Sequence, residues 1–359
     1  MVLKKSNLLS KKGSAASVLL AIPILIFSLG AITLLSVSPE RFNSHLLYFI
    51  FGITFFLVFS YFDFSILKYF WIYIYFIGLG FLALTIIFGE IRYGAARWLS
   101  FGTFGFQTSE FAKIALILSL SAYVKNVDYN LNKPIELLKI IGLALPYIVL
   151  VYIQPDLGTS LVLFAILFGI LFYAGLDKIY MIVSVLLAAI FSTPLWHLLK
   201  DYQKERILVF INPKLDVLGA GYNVIQSLIA VGSGGLLGKG FGRGTQATLS
   251  FLPAYWTDFI FASFAEEWGF IGVLTLLFFF IALLFVLLYV AANSQSKFGS
   301  LICIGTFSML LSQFVINVGM NLGLMPVTGV TLPLMSYGGS SIVTTMTLLG
   351  ITANIWQRE

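Results

Sequence analysis

Charge is what this chain lacks most. Only 10% of its 359 residues are Asp, Glu, Lys or Arg, against about 25% in an ordinary soluble domain. That deficit excludes a soluble globular enzyme, a disordered tail protein and a nucleic-acid-binding module. Cysteine is nearly missing too. Cys303 stands alone in the sequence, so it holds neither an intrachain disulfide nor a cysteine metal cluster. The two histidines, His45 and His197, are too few and too far apart to suggest zinc. No internal repeat stands out, which argues against an inverted-repeat transporter.

Apolar residues fill the space that charge leaves: 59% of the chain is hydrophobic. A helix crossing a bilayer needs about 20 such residues. Apolar runs lie near 18–37, 45–61, 69–88, 110–124, 137–153, 157–174, 179–198, 264–292, 299–323 and 337–356. The pattern predicts an all-α polytopic membrane protein, a single domain over 1–359 with about ten transmembrane helices. A long outer loop, 199–262, falls between spans seven and eight. Lys4, Lys5, Lys11 and Lys12 precede the first run, as in a signal peptide. That run exceeds the roughly 7–15 apolar residues of a signal core, so it reads as an uncleaved span.

The net charge of +6 first suggests topology and contact with anionic lipid. The expected inner loops and tails carry 11 Lys and Arg residues, including Lys68, Lys125, Lys178, Lys297 and Arg358. The short outer loops hold only Arg41, Arg92 and Arg97. Cytoplasmic loops are the cation-rich ones, so both termini are expected inside.

A charge at the centre of a span costs roughly 2.5–3.5 kcal/mol. Ionisable residues in or beside spans are therefore functional candidates. Glu110 and Lys113 are spaced i,i+3 in Gln107-Thr108-Ser109-Glu110-Phe111-Ala112-Lys113, which puts them on one helical face. Thr108 or Ser109 is expected to cap that helix. Two readings stay open: a buried ion pair, or a polar cavity in which Lys113 faces a phosphate and Glu110 orients it or holds a divalent cation. Asp156, in Gln154-Pro155-Asp156-Leu157-Gly158, suits a helix cap or a cavity wall. Asp258 is a lone acid at the mouth of a span, after Trp256. It is either an interfacial cap or a carboxylate whose pKa is raised by desolvation and so suited to general-base work. Glu266 and Glu267 read as structural, and Glu266 shares a face with Asp258 only if their helix is continuous. The glycine-rich stretch 232–244 lacks the strand–turn–helix setting of a nucleotide loop. From Asn317 to Ser341, prolines and glycines break what should be bilayer-depth chain. Such irregularity survives only inside protein or along a wet cavity.

These strings, with Ala96-Arg97-Trp98-Leu99, occur together in an order that resembles the SEDS family of cell-wall membrane proteins (RodA, FtsW and the sporulation members). Gly244-Thr245-Gln246 and Phe251-Leu252-Pro253 look like the RodA branch. Two departures stand out. Thr108 replaces the usual proline of a Q-P-S-E string. In the P-E-x-H-T-D string, Ala254 and Trp256 replace Glu and His, while Thr257 and Asp258 remain. The resemblance implies a peptidoglycan glycosyltransferase that polymerises lipid II and releases undecaprenyl pyrophosphate. It implies inversion at the anomeric carbon, with Asp258 as the essential acid. Lys113, Glu110, Arg97, Arg206, Thr257 and Ser336 are implied substrate-binding residues, and Arg97, Lys113 and Arg206 would balance the leaving charge. A divalent cation, Mg or Mn, is an optional aid with Glu110 as its ligand. The implied partners are a class B penicillin-binding protein and other elongation-complex membrane proteins, with no nucleic acid. The implied location is the cytoplasmic membrane, with the active site facing outward. Two rivals remain: a flippase for the same lipid, and a scaffold for the transpeptidase.

Overall fold

The computed structural model describes residues 2–92, 95–101, 104–127, 131–180, 182–183, 201–216 and 219–358. Helices α1 (Val2–Val37), α2 (Pro39–Tyr61) and α3 (Phe64–Phe88) come first. Three strands follow: β1 (Glu90–Arg92), β2 (Ala95–Phe101) and β3 (Phe104–Gln107). Next are α4 (Thr108–Asn126), α5 (Pro134–Ile153), α6 (Leu157–Tyr173), α7 (Asp201–Ile211), α8 (Ala220–Ser233) and the short α9 (Thr245–Thr248). The chain closes with α10 (Ile260–Asn293), α11 (Lys297–Asn321) and α12 (Gly339–Arg358).

Local chemistry sets the helix starts. Asp63 caps α3 by accepting from the Ser65 amide at 2.9 Å, and Asp156 caps α6 through the Thr159 amide at 3.1 Å. Proline opens α2 and α5, where its missing N–H is not needed. The expected cap of α4 is different: Gln107 occupies that position without a side-chain cap bond. Thr108 lies inside the helix, and its hydroxyl bonds that of Thr85 on α3 at 2.8 Å.

Nine of the ten expected spans coincide with helices. The seventh, 179–198, lies outside the described residues apart from 179–180 and 182–183, so the count of ten is not fixed. Among the described residues, six helices are long and apolar enough to cross a membrane: α1, α2, α3, α5, α10 and α11. The all-α expectation also needs amending, because β1, β2 and β3 form an antiparallel sheet in that order. Trp98 pairs with Gln107 and Leu99 with Phe106. β1 and β3 have only 3 and 4 residues, and the 7 residues of β2 do not alternate apolar with polar. Nor is 199–262 a plain loop, since α7, α8 and α9 lie within it.

Burial follows polarity in a way typical of chains that meet lipid. The best span window of α11 is 67% buried, against 22% for α2 and α3, so α11 is central and α2 and α3 are peripheral. Helices α4 and α12 are buried along most of their length, although neither qualifies as a span by composition. The helices richest in hydroxyl and charged groups are thus packed against protein. The peripheral apolar helices face outward, where Phe55, Phe76, Phe278 and Phe285 are exposed, whereas α11 is apolar and central. α12 packs on α2 through Gly350, whose missing Cβ would lie 2.5 Å from the Phe56 carbonyl oxygen.

The glycine-rich stretch has a structural task. α10 breaks at Gly269 (φ 63°, ψ −164°), which frees backbone groups on either side. The carbonyls of Glu266 and Glu267 accept from Lys239 N at 2.9 Å and Gly240 N at 3.0 Å. The amides of Phe270 and Ile271 donate to the Gly235 and Leu236 carbonyls at 2.9 and 3.2 Å. The loop is spliced into the helix, so the break leaves these four groups satisfied, as a membrane interior demands. Glu266 tightens the splice by accepting from Lys239 Nζ at 2.6 Å, Thr245 N at 2.9 Å and Gln246 N at 3.1 Å. It is structural, as expected.

A Cβ on Gly238 would sit 2.1 Å from the Glu267 carbonyl oxygen at a φ of +78°, whereas one on Gly232 meets nothing within 4 Å. Gly238→Ala should therefore cost roughly 2 kcal/mol or more. Gly232→Ala should leave stability unchanged or raise it by roughly 0.5–1 kcal/mol. Thermal unfolding of the two variants in detergent checks the contrast.

Candidate functional site

The turn before α10 is built around Ala254. Its φ of +49° is a left-handed angle that costs an L residue roughly 1–2 kcal/mol. Its carbonyl accepts from Thr257 N at 3.0 Å and Phe259 N at 3.2 Å, which closes the turn. The carbonyls of residues 256, 257 and 258 are each held from outside. Trp256 O accepts from Tyr337 N at 2.9 Å. Thr257 O accepts from Ser336 Oγ at 2.7 Å. Asp258 O accepts from Asn317 Nδ2 and Asn321 Nδ2, both at 3.0 Å. The irregular 322–338 segment and the end of α11 thus grip the turn that carries Asp258. Asp258 does not cap α10. That position belongs to Phe259, which makes no side-chain cap bond. With α10 starting at Ile260, Asp258 and Glu266 share no continuous helix face.

The Asp258 side chain is half-buried. Desolvation pushes its carboxyl above the ordinary aspartate value. Arg206, a hydrogen bond with Thr257 and the more distant Arg97 pull it back, while Asp156 adds a small upward push. The two arginines come from separate elements. Arg97 projects from β2, where its Nε donates to the Gln154 carbonyl at 3.3 Å and its Nη2 to the Pro155 carbonyl. Its Nη1 lies 3.9 Å from Asp156 Oδ1. Arg206 lies on α7 with Gln203 and Ile207, on one wall of a narrow cleft; Pro155, Leu157 and Pro326–Thr328 complete the lining. The arrangement offers an ionisable carboxylate within electrostatic reach of two cations, one of which, Arg206, lines a largely apolar slot.

Of the residues singled out by sequence, Asp258, Thr257, Ser336, Arg97 and Arg206 gather around this turn. Ser336 is buried; besides its bond to Thr257 O, its Oγ accepts from Leu332 N at 2.8 Å. It therefore shapes the turn from behind. Glu110 and Lys113 are only 4% and 1% exposed, and Lys113 Nζ donates to Glu110 Oε1 at 2.7 Å. In this structure the two side chains form a buried ion pair. The second Glu110 oxygen has no hydrogen-bond partner, but the pair makes a poor divalent-cation site. Ca and Mg want about six oxygen ligands, the adjacent ammonium repels a cation, and no cluster of three acidic, His or Cys residues occurs among the described residues. Asn317 and Asn321 were not singled out for a role, although two asparagines spaced i,i+4 in an apolar helix are a readable signal.

Comparison with known proteins shows the family. The chain matches the family model described as "Cell cycle protein", which groups FtsW, RodA and SpoVE, over residues 15–359. It is 43% identical over 288 residues to the peptidoglycan glycosyltransferase MrdB of Escherichia coli strain K12, covering 79% of this chain and 76% of that protein. It is 35% identical to the peptidoglycan glycosyltransferase RodA of Treponema pallidum, with 78% and 82% covered. Among solved structures, a chain from a peptidoglycan synthase complex that coordinates polymerization and crosslinking superposes with a TM-score of 0.82 at 30% identity, covering 95% of this chain and 97% of that one. The Thermus thermophilus rod shape determining protein RodA gives 0.68 at 29% identity, with 94% and 95% covered.

Asn321 also accepts from the Ala262 amide at 3.2 Å through Oδ1. Replacing its carboxamide with an isosteric apolar group strips partners from several buried groups at once. Asn321→Leu should cost on the order of 3 kcal/mol. Asn293→Leu, on an exposed side chain that bonds only its own helix, should cost well under about 1 kcal/mol. Denaturation midpoints of the two purified variants compare them.

Proposed function

Since the chain belongs to the FtsW/RodA/SpoVE family of cell cycle proteins and is an integral membrane peptidoglycan glycosyltransferase, we propose that it polymerises lipid II by direct displacement, with Asp258 as general base. The carboxylate takes the proton from the acceptor sugar 4-hydroxyl. That oxygen forms its bond to the donor anomeric carbon while the bond to the pyrophosphate breaks. The α-linked donor becomes a β-1,4 linkage, and undecaprenyl pyrophosphate leaves. General-base help of this kind is worth about 10²–10⁴ in rate.

The observation that carries this reading is the held turn: a half-buried carboxylate, fixed by its own backbone, whose charge two arginines favour. Arg97 and Arg206 neutralise the charge growing on the pyrophosphate, and the apolar slot beside Arg206 receives the start of the lipid chain. Glu110 and Lys113 spend their charges on each other. They support the fold from within α4 and reach substrate only when their pair opens. We assign no step to a cation held by Glu110.

The site faces the outer side of the cytoplasmic membrane, with both termini in the cytoplasm, because the cations of the short loops gather at the opposite end. The likeness to a chain of a peptidoglycan synthase complex supports a class B penicillin-binding protein as partner, within a set of elongation-complex membrane proteins.

Asp258→Asn should abolish glycan polymer formation from lipid II, read on gels. Because the folded-state pKa is raised, ionisation of Asp258 works against folding. The stability it lends is full below the ordinary value of 3.8 and is lost as pH rises through the raised one. The D258N protein should therefore melt no lower than the parent at neutral pH, which separates lost chemistry from lost folding. A D258N protein that polymerises normally would remove Asp258 from the mechanism.

The base must be ionised, so kcat/KM should rise with pH through a midpoint above 3.8. Arg206→Gln should lower kcat on the order of tenfold or more. Steady-state polymerisation measured across pH tests both expectations.

A further inference from the structure

The Asp258 turn has one more attachment, made by a residue far away in sequence. The α1–α2 corner is a single residue, Ser38, followed by Pro39. Arg41 follows in the first turn of α2, with its guanidinium 4.0 Å from the centroid of the Trp256 ring and 5.7 Å from that of Tyr337. The same two residues are joined by the Tyr337 N to Trp256 O bond, so the cation bridges rings whose backbones are already tied.

The guanidinium is aimed from behind. Its Nε donates to Ser38 Oγ at 3.2 Å and lies 3.5 Å from Glu40 Oε1, and Ser38 Oγ in turn bonds Glu40. Further along α2, His45 and Tyr48 fall at i+4 and i+7 from Arg41 and so share its face. Their rings lie 6.0 and 5.9 Å from that of Tyr337. One face of α2 thus lies along the segment that grips the turn, and Arg41 is the part of it that reaches Trp256.

We propose that Arg41 is a positioning residue for the transfer reaction: by stacking on Trp256 and Tyr337 it fixes the rotation of the Trp256–Asp258 turn, and with it the direction in which the Asp258 carboxylate points. This inference rests on Asp258 being the base. Arg41 touches neither the carboxylate nor the reacting atoms in this account. It acts through Trp256, so its loss lowers turnover and leaves substrate affinity alone. Trp256 stands where the family string carries His. A broad indole face suits a guanidinium better than an imidazole, and stacked arginine is the commoner cation partner.

The experiment is a double-mutant cycle in the full-length protein, with lipid II as substrate and both kcat and KM measured. Arg41→Ala and Trp256→Ala should each lower kcat about threefold to thirtyfold, the range expected for one cation–π contact, with KM within about twofold. The double variant should lose no more than the worse single variant, because both remove one contact. Trp256→Phe and Arg41→Lys, which keep a ring and a cation, should recover most of the lost turnover.

Losses in kcat that multiply in the double variant would overturn the proposal, as would a rise in KM confined to Arg41→Ala, which would mark direct substrate contact. A melting point that falls in step with kcat and is not restored in R41K would reduce the contact to fold stability, again overturning it. Failure of Asp258 as base is read separately: it appears as normal polymerisation by D258N, whatever the cycle gives.

Discussion

Two carboxamides on one helix hold this site together. Asn317 and Asn321 lie one turn apart near the end of α11, and both donate to the Asp258 carbonyl. Asn317 also donates to Val330 O at 2.8 Å, and Asn321 to Asn317 O at 2.8 Å. On its acceptor side, Asn321 takes the first-turn amide of α10 at Ala262, and its backbone carbonyl takes the Ser227 hydroxyl of α8 at 2.9 Å. Three separate pieces of chain, 258–262, the segment at Val330 and α8, therefore meet on one turn of α11. An unpaired backbone group away from water is costly, and lipid offers no replacement partner. The irregular chain from 322 to 338 and the tight turn at 251–259 can exist at this depth because those asparagines complete their hydrogen bonding.

The same rule explains where polar groups sit throughout the bundle. Helix α4 carries Glu110 and Lys113, and α12 is rich in threonine and serine; both are enclosed by other helices. The enclosure permits the polarity. It also makes those helices look least membrane-like by composition, while the apolar exterior of α3 and α10 looks most so. The splice at Gly269 is a further case. A broken span is tolerated because another segment of the same chain supplies the missing donors and acceptors, and the glycines that allow the approach stand on both sides of the seam.

How much of this was legible in sequence depends on how local each cause is. Apolar length marks a span by itself, so the helices were readable, as was the irregular 317–341 region, where proline and glycine break the run. Asp258 could be picked out because a lone acid at a span mouth is expensive. The rest needed distant partners. In the β1–β3 sheet, two strands are too short for a period and β2 does not alternate. The role of the glycine-rich stretch is set by carbonyls of Glu266 and Glu267, well over twenty residues away. The pairing of Glu110 with Lys113 depends on enclosure by other helices, and the side-chain cap expected at Thr108 or Ser109 gave way to a bond from Thr108 to Thr85 on another helix. Asn317 and Asn321 were visible as polar residues in an apolar helix, yet their target is a backbone carbonyl, which carries no mark in the sequence.

That last point bears on the two departures at the turn. Ala254 and Trp256 stand where the family string has Glu and His, and losing an acid and an imidazole would disable a site that relied on those side chains. In this structure the turn is held mainly through carbonyl oxygens at 254, 256, 257 and 258. Main-chain acceptors are indifferent to the side chains at their own positions, so the scaffold survives both substitutions. The demand on position 254 is conformational: its φ of +49° has to be tolerated, and the surrounding bonds offset the strain. Position 256 offers a ring face to Arg41, which a large aromatic supplies. Thr257 and Asp258 are the positions whose side chains interact with each other directly, and both are kept. A site held mainly by its backbone can exchange the side chain at 254, while 256 still has to offer a ring to Arg41 so that the carboxylate stays aimed.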